Sequence, residues 1–166
     1  AEPARAAVLV PLIERPTGLQ VLLTQRASHL KNHPGQISFP GGRIETADAG
    51  PWEAALRETR EEIGLEPQFV TRAGYLQDHL VISGFRVTPA VGFVQPGFNL
   101  HLDETEVENV FEVPLEFVLD PANHLARERR FGGHTFKAFD IPYQRHNIWG
   151  ATAGMLMSLH RMLREG

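Results

Sequence analysis

Two apolar-rich runs at residues 6–13 and 19–26 are divided by Glu14-Arg15-Pro16-Thr17-Gly18, a break with the composition of a turn. Short apolar runs on either side of a Pro/Gly break predict two strands joined as a hairpin. The periodicity then disappears. From residue 27 to residue 42, His29, Lys31, Asn32, His33, Pro34, Gly35, Gln36 and Pro40 replace any helical or strand repeat, which predicts a long loop. Long ordered loops are often functional. Residues 51–63 predict a helix: Pro51 suits the first turn, where its missing N–H loses no hydrogen bond, and Gly64 suits the left-handed position just past the end.

Beyond that helix, residues 69–76, 86–94 and 107–113 read as strands separated by Ser83-Gly84 and Gln95-Pro96-Gly97. Residues 127–131 and 135–141 flank Gly132-Gly133, a second hairpin signal. Residues 151–163 show helical spacing, with Met155, Leu159 and Leu163 four apart, so a closing helix should pack on the sheet. Two helices among many strands predict an α/β chain in which a mixed sheet lies between helices, rather than a repeating βαβ wheel. A length of 166 residues at 42% hydrophobic composition suits one core, hence one domain over residues 1–166.

Charge and composition narrow the function classes. Net charge is −4, so no basic surface is expected to hold a polymeric nucleic acid by counterion release. The chain has no cysteine, which excludes disulfides, thiolate metal sites and a cysteine nucleophile. No apolar run approaches the ~20 residues that span a bilayer, and Ala1-Glu2-Pro3 lacks a signal-peptide pattern. The expectation is a soluble, cytoplasmic protein whose partner is a small molecule.

The candidate chemistry sits on the predicted helix. At about 100° per residue, Trp52, Ala55, Leu56, Thr59 and Ile63 share the face that packs on a core. Glu58, Glu61 and Glu62 share another arc, with Ala54 one turn earlier, because spacings of three and four residues stack side chains on adjacent turns. Arg57 is the nearest cation. Like charges this close repel by a few tenths of a kcal/mol per pair, and a divalent cation would relieve the repulsion. All-oxygen ligands suit Mg²⁺, with Mn²⁺ as an alternative. Taken alone, the glutamates are equally well a solvated helix face. Phe39-Pro40-Gly41-Gly42 adds a second feature, since paired glycines let backbone amides and carbonyls approach an ion or a phosphate.

Together these residues resemble the Nudix box. Gly42 matches its leading glycine, Asp48 its spaced acid, and Arg57, Glu58, Glu61, Glu62, Gly64 and Leu65 the run that follows. Asp48 replaces the usual Glu, Thr59 replaces a hydrophobic residue, and the segment from Gly42 to Arg57 is one residue longer than usual. Upstream, Leu22-Leu23-Thr24-Gln25-Arg26-Ala27, Lys31, Gly35 and Phe39-Pro40-Gly41-Gly42 resemble the coenzyme A pyrophosphatase subfamily, with Lys31 where Arg is usual. The segment Ile141-Pro142-Tyr143 with residues 148–153 is also similar to that subfamily.

The resemblance implies a Nudix-type α/β/α sandwich and Mg²⁺-dependent hydrolysis of coenzyme A to adenosine 3′,5′-bisphosphate and 4′-phosphopantetheine. It implies metal binding by Glu58, Glu61, Glu62 and the Gly42 carbonyl, water activation shared by Glu61, and orientation of the glutamates by Arg57. Glu106, in an acidic run, is a candidate carboxylate from a second loop, against its reading as a solvated loop. Arg26 and Lys31, with Gly41 and Gly42, are candidate phosphate contacts. His29 and His33 are four apart, but Pro34 argues against a helical metal pair. Trp149 and Tyr143 are either adenine-stacking residues or core packing. The rival readings are a Nudix activity on oxidised nucleoside triphosphates, ADP-ribose or NADH, and a non-catalytic nucleotide-binding module.

Overall fold

The computed structural model describes residues 2–31, 34–81 and 83–165. Strand β1 (Arg5–Arg15) lies at the centre of the main sheet. One edge pairs parallel with β7 (Arg86–Val94) from Arg5 to Ile13. The other edge is shared. Leu12 to Arg15 pair antiparallel with the start of β2 (Gly18–Arg26), whereas Ala6 to Val8 pair with β4 (Gly41–Arg43). The hairpin therefore opens after a few pairs, and β2 turns to β3 (Ile37–Ser38) and β8 (Val107–Pro114). Strands β5 (Val70–Tyr75) and β6 (His79–Leu80) complete the sheet against β7.

Alternation along the strands separates two cores. Ala7, Leu9 and Ile13 join Leu22, Ala90 and Val94 on the face covered by helix α1 (Pro51–Ile63), which contributes Trp52, Ala54, Ala55 and Ile63. Val10 and Leu12 join Val21, Leu23, Val87 and Val91 on the opposite face. There helix α3 (Gly150–Glu165) contributes Met155, Leu156 and Leu159. Each fully buried Leu or Ile stabilises this arrangement by about 1.5–3 kcal/mol. The result is the mixed sheet between helices that the pattern predicts, and the helix at residues 51–63 has the expected bounds. Gly64 adopts φ 75° past its end.

The structure departs from the pattern in the short elements. Residues 27–42 are not one loop: β3 and the start of β4 lie within them, because strands of two or three residues are too short to show an alternation. For the same reason β6, the short helix α2 (Leu115–Leu119) and strand β11 (His146–Ile148) leave no periodic signal. Ala54 is fully buried rather than exposed among the glutamates, and Leu56 is only half-buried. Among the described residues no helix is long and apolar enough to cross a membrane.

A second sheet holds β9 (Leu125–Phe131), β10 (His134–Tyr143) and β11 in antiparallel order. Asp140 is 1% exposed, and it accepts hydrogen bonds from Arg129 and Asn147 and an ion pair from Arg127. Burial opposes its charge, but these donors hold the carboxyl below the usual carboxylate range. A depressed folded-state value adds stability above the unfolded carboxyl range, and that stability is lost as pH falls through the folded value. Asp140→Asn is expected to destabilise by about 2 kcal/mol near neutrality, less than a fully buried pair because both arginines keep water access. Urea unfolding across pH tests this: the gap between variant and wild type should close in acid, and a pH-independent gap would contradict it.

Candidate active site

Arg57 is the organising cation of the candidate site. Its Nε and Nη2 each donate to Asp48 at 2.9 Å, in a bidentate pair. Nη1 donates to Glu58 Oε1 at 2.8 Å and to Glu61 Oε2 at 3.2 Å. Nη2 also donates to the Arg43 carbonyl at 3.1 Å, which ties α1 to β4. Asp48 is fixed in turn by the Glu45 N–H, and its carboxyl is pulled down to about 2 by Arg57 first and Glu45 second. Asp48 is therefore the anchor of Arg57, a role that spacing alone does not reveal because it depends on the turn from Glu45 to Asp48.

The three glutamates share one side of α1, but their partners divide them. Glu61 is exposed and turned to Arg57. Glu58 is partly buried, and desolvation raises its carboxyl against the pull of Arg57. Glu62 Oε1 accepts a 2.9 Å hydrogen bond from the Gly41 N–H. Its carboxyl is pushed up to about 8, by burial first and then by the charges of Glu58 and Glu106, against the Gly41 N–H and Arg26. In this arrangement no group of three or more His, Cys, Asp or Glu side chains among the described residues is drawn together as a metal cage. Arg57 Nη1 gathers Glu58 and Glu61, while the Gly41 N–H engages Glu62 separately.

Gly42 makes the approach possible. A Cβ there would lie 1.9 Å from Glu58 Oε2, so only glycine leaves room for that carboxylate. Strand β4 owes its place under α1 to the open β1–β2 hairpin.

The second loop is docked rather than free. Helix carbonyls at a C-terminus lack intrahelical partners, and here His101 N–H donates to Ile63 O and Asp103 N–H to Glu62 O, both at 2.8 Å. Gly64 permits this, since its Cβ would meet His101 N at 2.7 Å and its φ is left-handed. From there Glu106 is held by its own N–H to Asp103 O, and its carbonyl accepts from Ala27 N–H, beside Arg26. The electrostatic coupling of Glu106 and Arg26 to Glu62 follows from this docking. Glu106 is exposed at its tip, yet its backbone is not that of a loosely solvated loop.

The other candidates fall in different places. Lys31 and His29 are exposed, and His33 lies outside the described residues. Tyr143 packs edge-on against Phe117 at 5.0 Å within the α3-side core, the packing role. Trp149 is covered by the Arg129 guanidinium, 4.2 Å from the ring centroid.

The chain is an α/β/α sandwich in which a glutamate-bearing helix is set over a glycine strand. Consistent with this, the family model described as NUDIX domain matches residues 3–132, and the chain belongs to the Nudix family. It is 42% identical over 156 residues to an uncharacterized Nudix hydrolase, NudL, of Enterobacter sp. (strain 638), covering 93% of this chain and 80% of that protein. NudL of Salmonella newport (strain SL254) is 40% identical over the same shares. Among solved structures, the NUDIX domain of Shewanella oneidensis NrtR complexed with ADP ribose superposes with TM-score 0.60 at 17% identity, covering 98% of this chain and 90% of that one. A C. elegans Ap4A hydrolase binary complex gives TM-score 0.57 at 22% identity, over 67% and 80%. At these identities the structures establish the fold. The chain is a Nudix hydrolase of nucleotide diphosphate derivatives.

The Gly42 geometry makes a prediction. Gly42→Ala should fold normally, because the atom in the way is the far end of a flexible glutamate. It should lose roughly tenfold or more in hydrolytic turnover, about 1.4 kcal/mol of barrier, by displacing the Glu58 carboxylate. Thermal melting alongside a turnover assay checks both halves; unchanged turnover would show that Glu58 does not need this position.

Proposed function

We propose that this chain, as one domain, hydrolyses the diphosphate bond of coenzyme A with the help of Mg²⁺, giving adenosine 3′,5′-bisphosphate and 4′-phosphopantetheine. The observation that carries the reading is the carboxyl of Glu62, which is desolvated beside Glu58 and Glu106 and pushed up to about 8. Such a group is short of positive charge. A divalent cation with oxygen ligands and substrate phosphate supplies it, and the donor set contains no sulfur. The residues fit the ion. Glu58, Glu62 and the Gly42 carbonyl are the proposed ligands, and Glu61 joins them on release from Arg57. Mn²⁺ suits the same oxygens.

When bound, the metal neutralises diphosphate charge and makes a coordinated water more acidic. The chain does the rest. Arg57, clamped by Asp48, sets the rotamer of Glu58. Glu106 and Glu61 are the candidates to take the proton from the attacking water as its oxygen bonds to phosphorus and the bridging P–O bond breaks. Arg26, partly buried and acting on Glu62, is proposed to meet a diphosphate oxygen, and Lys31 to add charge at the rim. Gly41 and Gly42 serve the carboxylates rather than a phosphate: the Gly41 N–H donates to Glu62, and the missing Cβ of Gly42 makes room for Glu58. The choice of coenzyme A rests on the upstream pattern from Leu22 to Gly42. Another Nudix substrate, such as ADP-ribose, NADH or an oxidised nucleotide, is the second reading, because the carboxylate helix supplies chemistry rather than selection.

Mass analysis after incubation with Mg²⁺ and, separately, coenzyme A, NADH, ADP-ribose and oxidised dGTP decides between them. Adenosine bisphosphate from coenzyme A alone is the expected result; cleavage of another compound in its place would overturn the substrate assignment. Glu62→Gln and Glu58→Gln should each lower kcat on the cleaved substrate by about 10²-fold or more with circular dichroism unchanged, and Glu106→Gln by a similar factor if it takes the proton.

A further inference from the structure

A polar cleft of about 470 Å³ is lined by Gln25, Glu108, Asn109, Arg145 and His146. Its volume lies within the ~300–1,000 Å³ usual for small-molecule sites. It neighbours the candidate site along the chain, since Gln25 precedes Arg26 and Glu108 follows Glu106 after one residue, but Gln25 and Asn109 stand in register with Leu23 and Phe111 on the α3 face of the sheet.

Three local irregularities build the cleft. Gln25 pairs with Asn109 across β2 and β8, but the next pair is Arg26 with Val107, so Glu108 is the extra residue of a β-bulge. Bulges re-aim side chains and concentrate near active sites. On the opposite wall Tyr143 pairs with His146, leaving Gln144-Arg145 as a two-residue turn. Gln144 takes φ 54° there, the sole non-glycine in the left-handed region among the described residues. A two-residue turn with positive φ at its first position alone favours Gly there, and holding Gln in that backbone costs on the order of 1 kcal/mol. Strain retained in a turn that carries a cleft-lining arginine points to a use for its position. The third irregularity is aromatic: the His146 ring lies flat on Phe111, with centroids 3.8 Å apart and planes 8° apart.

Charge narrows the ligand. Burial, with a smaller contribution from Arg145, holds the His146 imidazole below its ordinary value, so its ring is neutral near pH 7. Glu108 and Arg145 offset each other, and the cleft carries no net charge. A phosphate would be repelled by Glu108 as much as drawn by Arg145. A neutral heterocycle with donors and acceptors on its edge fits better. Side-chain amides pair in bidentate fashion with the N6 and N7 edge of adenine, and a carboxylate accepts from an exocyclic amino group. A flat aromatic surface adds stacking with any base.

We propose that this cleft is an adenine-recognition subsite, with the Gln25 and Asn109 amides reading the N6/N7 edge, Glu108 accepting from the amino group, and the His146 ring supporting the purine. The subsite deepens the coenzyme A reading, and rests on it only for what is attached to the adenine.

Calorimetric titration of the full chain with ADP, IDP and GDP, without divalent metal, tests base recognition apart from hydrolysis. IDP carries a 6-oxo group and an N1–H where ADP has its 6-amino group and an unprotonated N1, and the N7 edge is unchanged. Wild type should bind ADP about fivefold or more tightly than IDP or GDP, and Asn109→Ala or Glu108→Ala should bring ADP and IDP within about twofold of each other. Glu108→Ala, at an exposed bulge outside the paired register, serves as the second variant should Asn109→Ala lower the melting temperature. With coenzyme A as substrate, the Asn109→Ala loss of about tenfold in kcat/KM should be carried by KM. Equal affinity of wild type for ADP and IDP, tighter binding of GDP, absence of ADP binding, or an undiminished preference in well-folded variants would each overturn the subsite. If coenzyme A is not cleaved but ADP is preferred through these residues, the substrate assignment fails and the subsite stands. Cleavage of coenzyme A without base preference has the reverse meaning.

Discussion

Strand β1 shares one edge between two partners, and the rest of the structure follows from that division. Its C-terminal half keeps β2, while its N-terminal half is taken by β4. A hairpin that stayed closed would satisfy the same backbone groups, but it would leave no opening beneath α1. Because β2 diverges, residues 37–43 enter the gap and meet the backbone groups it exposes, with Leu9 N–H also donating to Pro40 O at 2.9 Å. That places Gly41 and Gly42 against Glu62 and Glu58. Ala54, fully buried, lets α1 sit close enough for these contacts.

Electrostatics then act in opposite directions at the two ends of the patch. Around Arg57 the acids gather on one cation: Asp48 is held well below the usual carboxylate range, and Glu58 and Glu61 accept from the same guanidinium nitrogen, although burial still raises Glu58. Around Glu62 the balance is reversed, since burial and two like charges outweigh one N–H and the weaker pull of Arg26. Neighbouring carboxylates in unlike environments are a common means of dividing chemical roles. The contrast is produced by backbone placement, since all of these residues are short-range neighbours in sequence except Gly41, Arg26 and Glu106.

What could be read from the sequence was what repeats or caps. The helix with Pro51 at its start and Gly64 at its end, the long strands, and the shared face of Glu58, Glu61 and Glu62 all follow from periods of 3.6 and 2. The short strands β3, β4, β6 and β11 carry no period, so the segment that supports the glutamates looked like a loop. The clamp of Asp48 on Arg57 depends on the turn from Glu45 to Asp48, which closes through two hydrogen bonds to Asp48 and Glu45. Glu106 was legible as an acid but not as a docked one, because its position is set by carbonyls at the far end of α1. Pairings made between distant backbone groups leave little mark on either segment alone.

The same distinction separates bond breaking from selection. The groups around the candidate hydrolytic centre lie mostly between Gly41 and Glu62, close enough in sequence for a compact motif to specify them. The cleft draws Gln25 from β2, Glu108 and Asn109 from β8, and Arg145 and His146 from the far end of the chain. No single segment specifies it, and it depends on a bulge and a left-handed Gln144 that a different sequence could remove without disturbing α1. A Nudix chain built this way can change what it binds while keeping how it cuts. Substrate identity is therefore to be sought where local geometry is irregular, and the regular helix that identifies the family carries little of it.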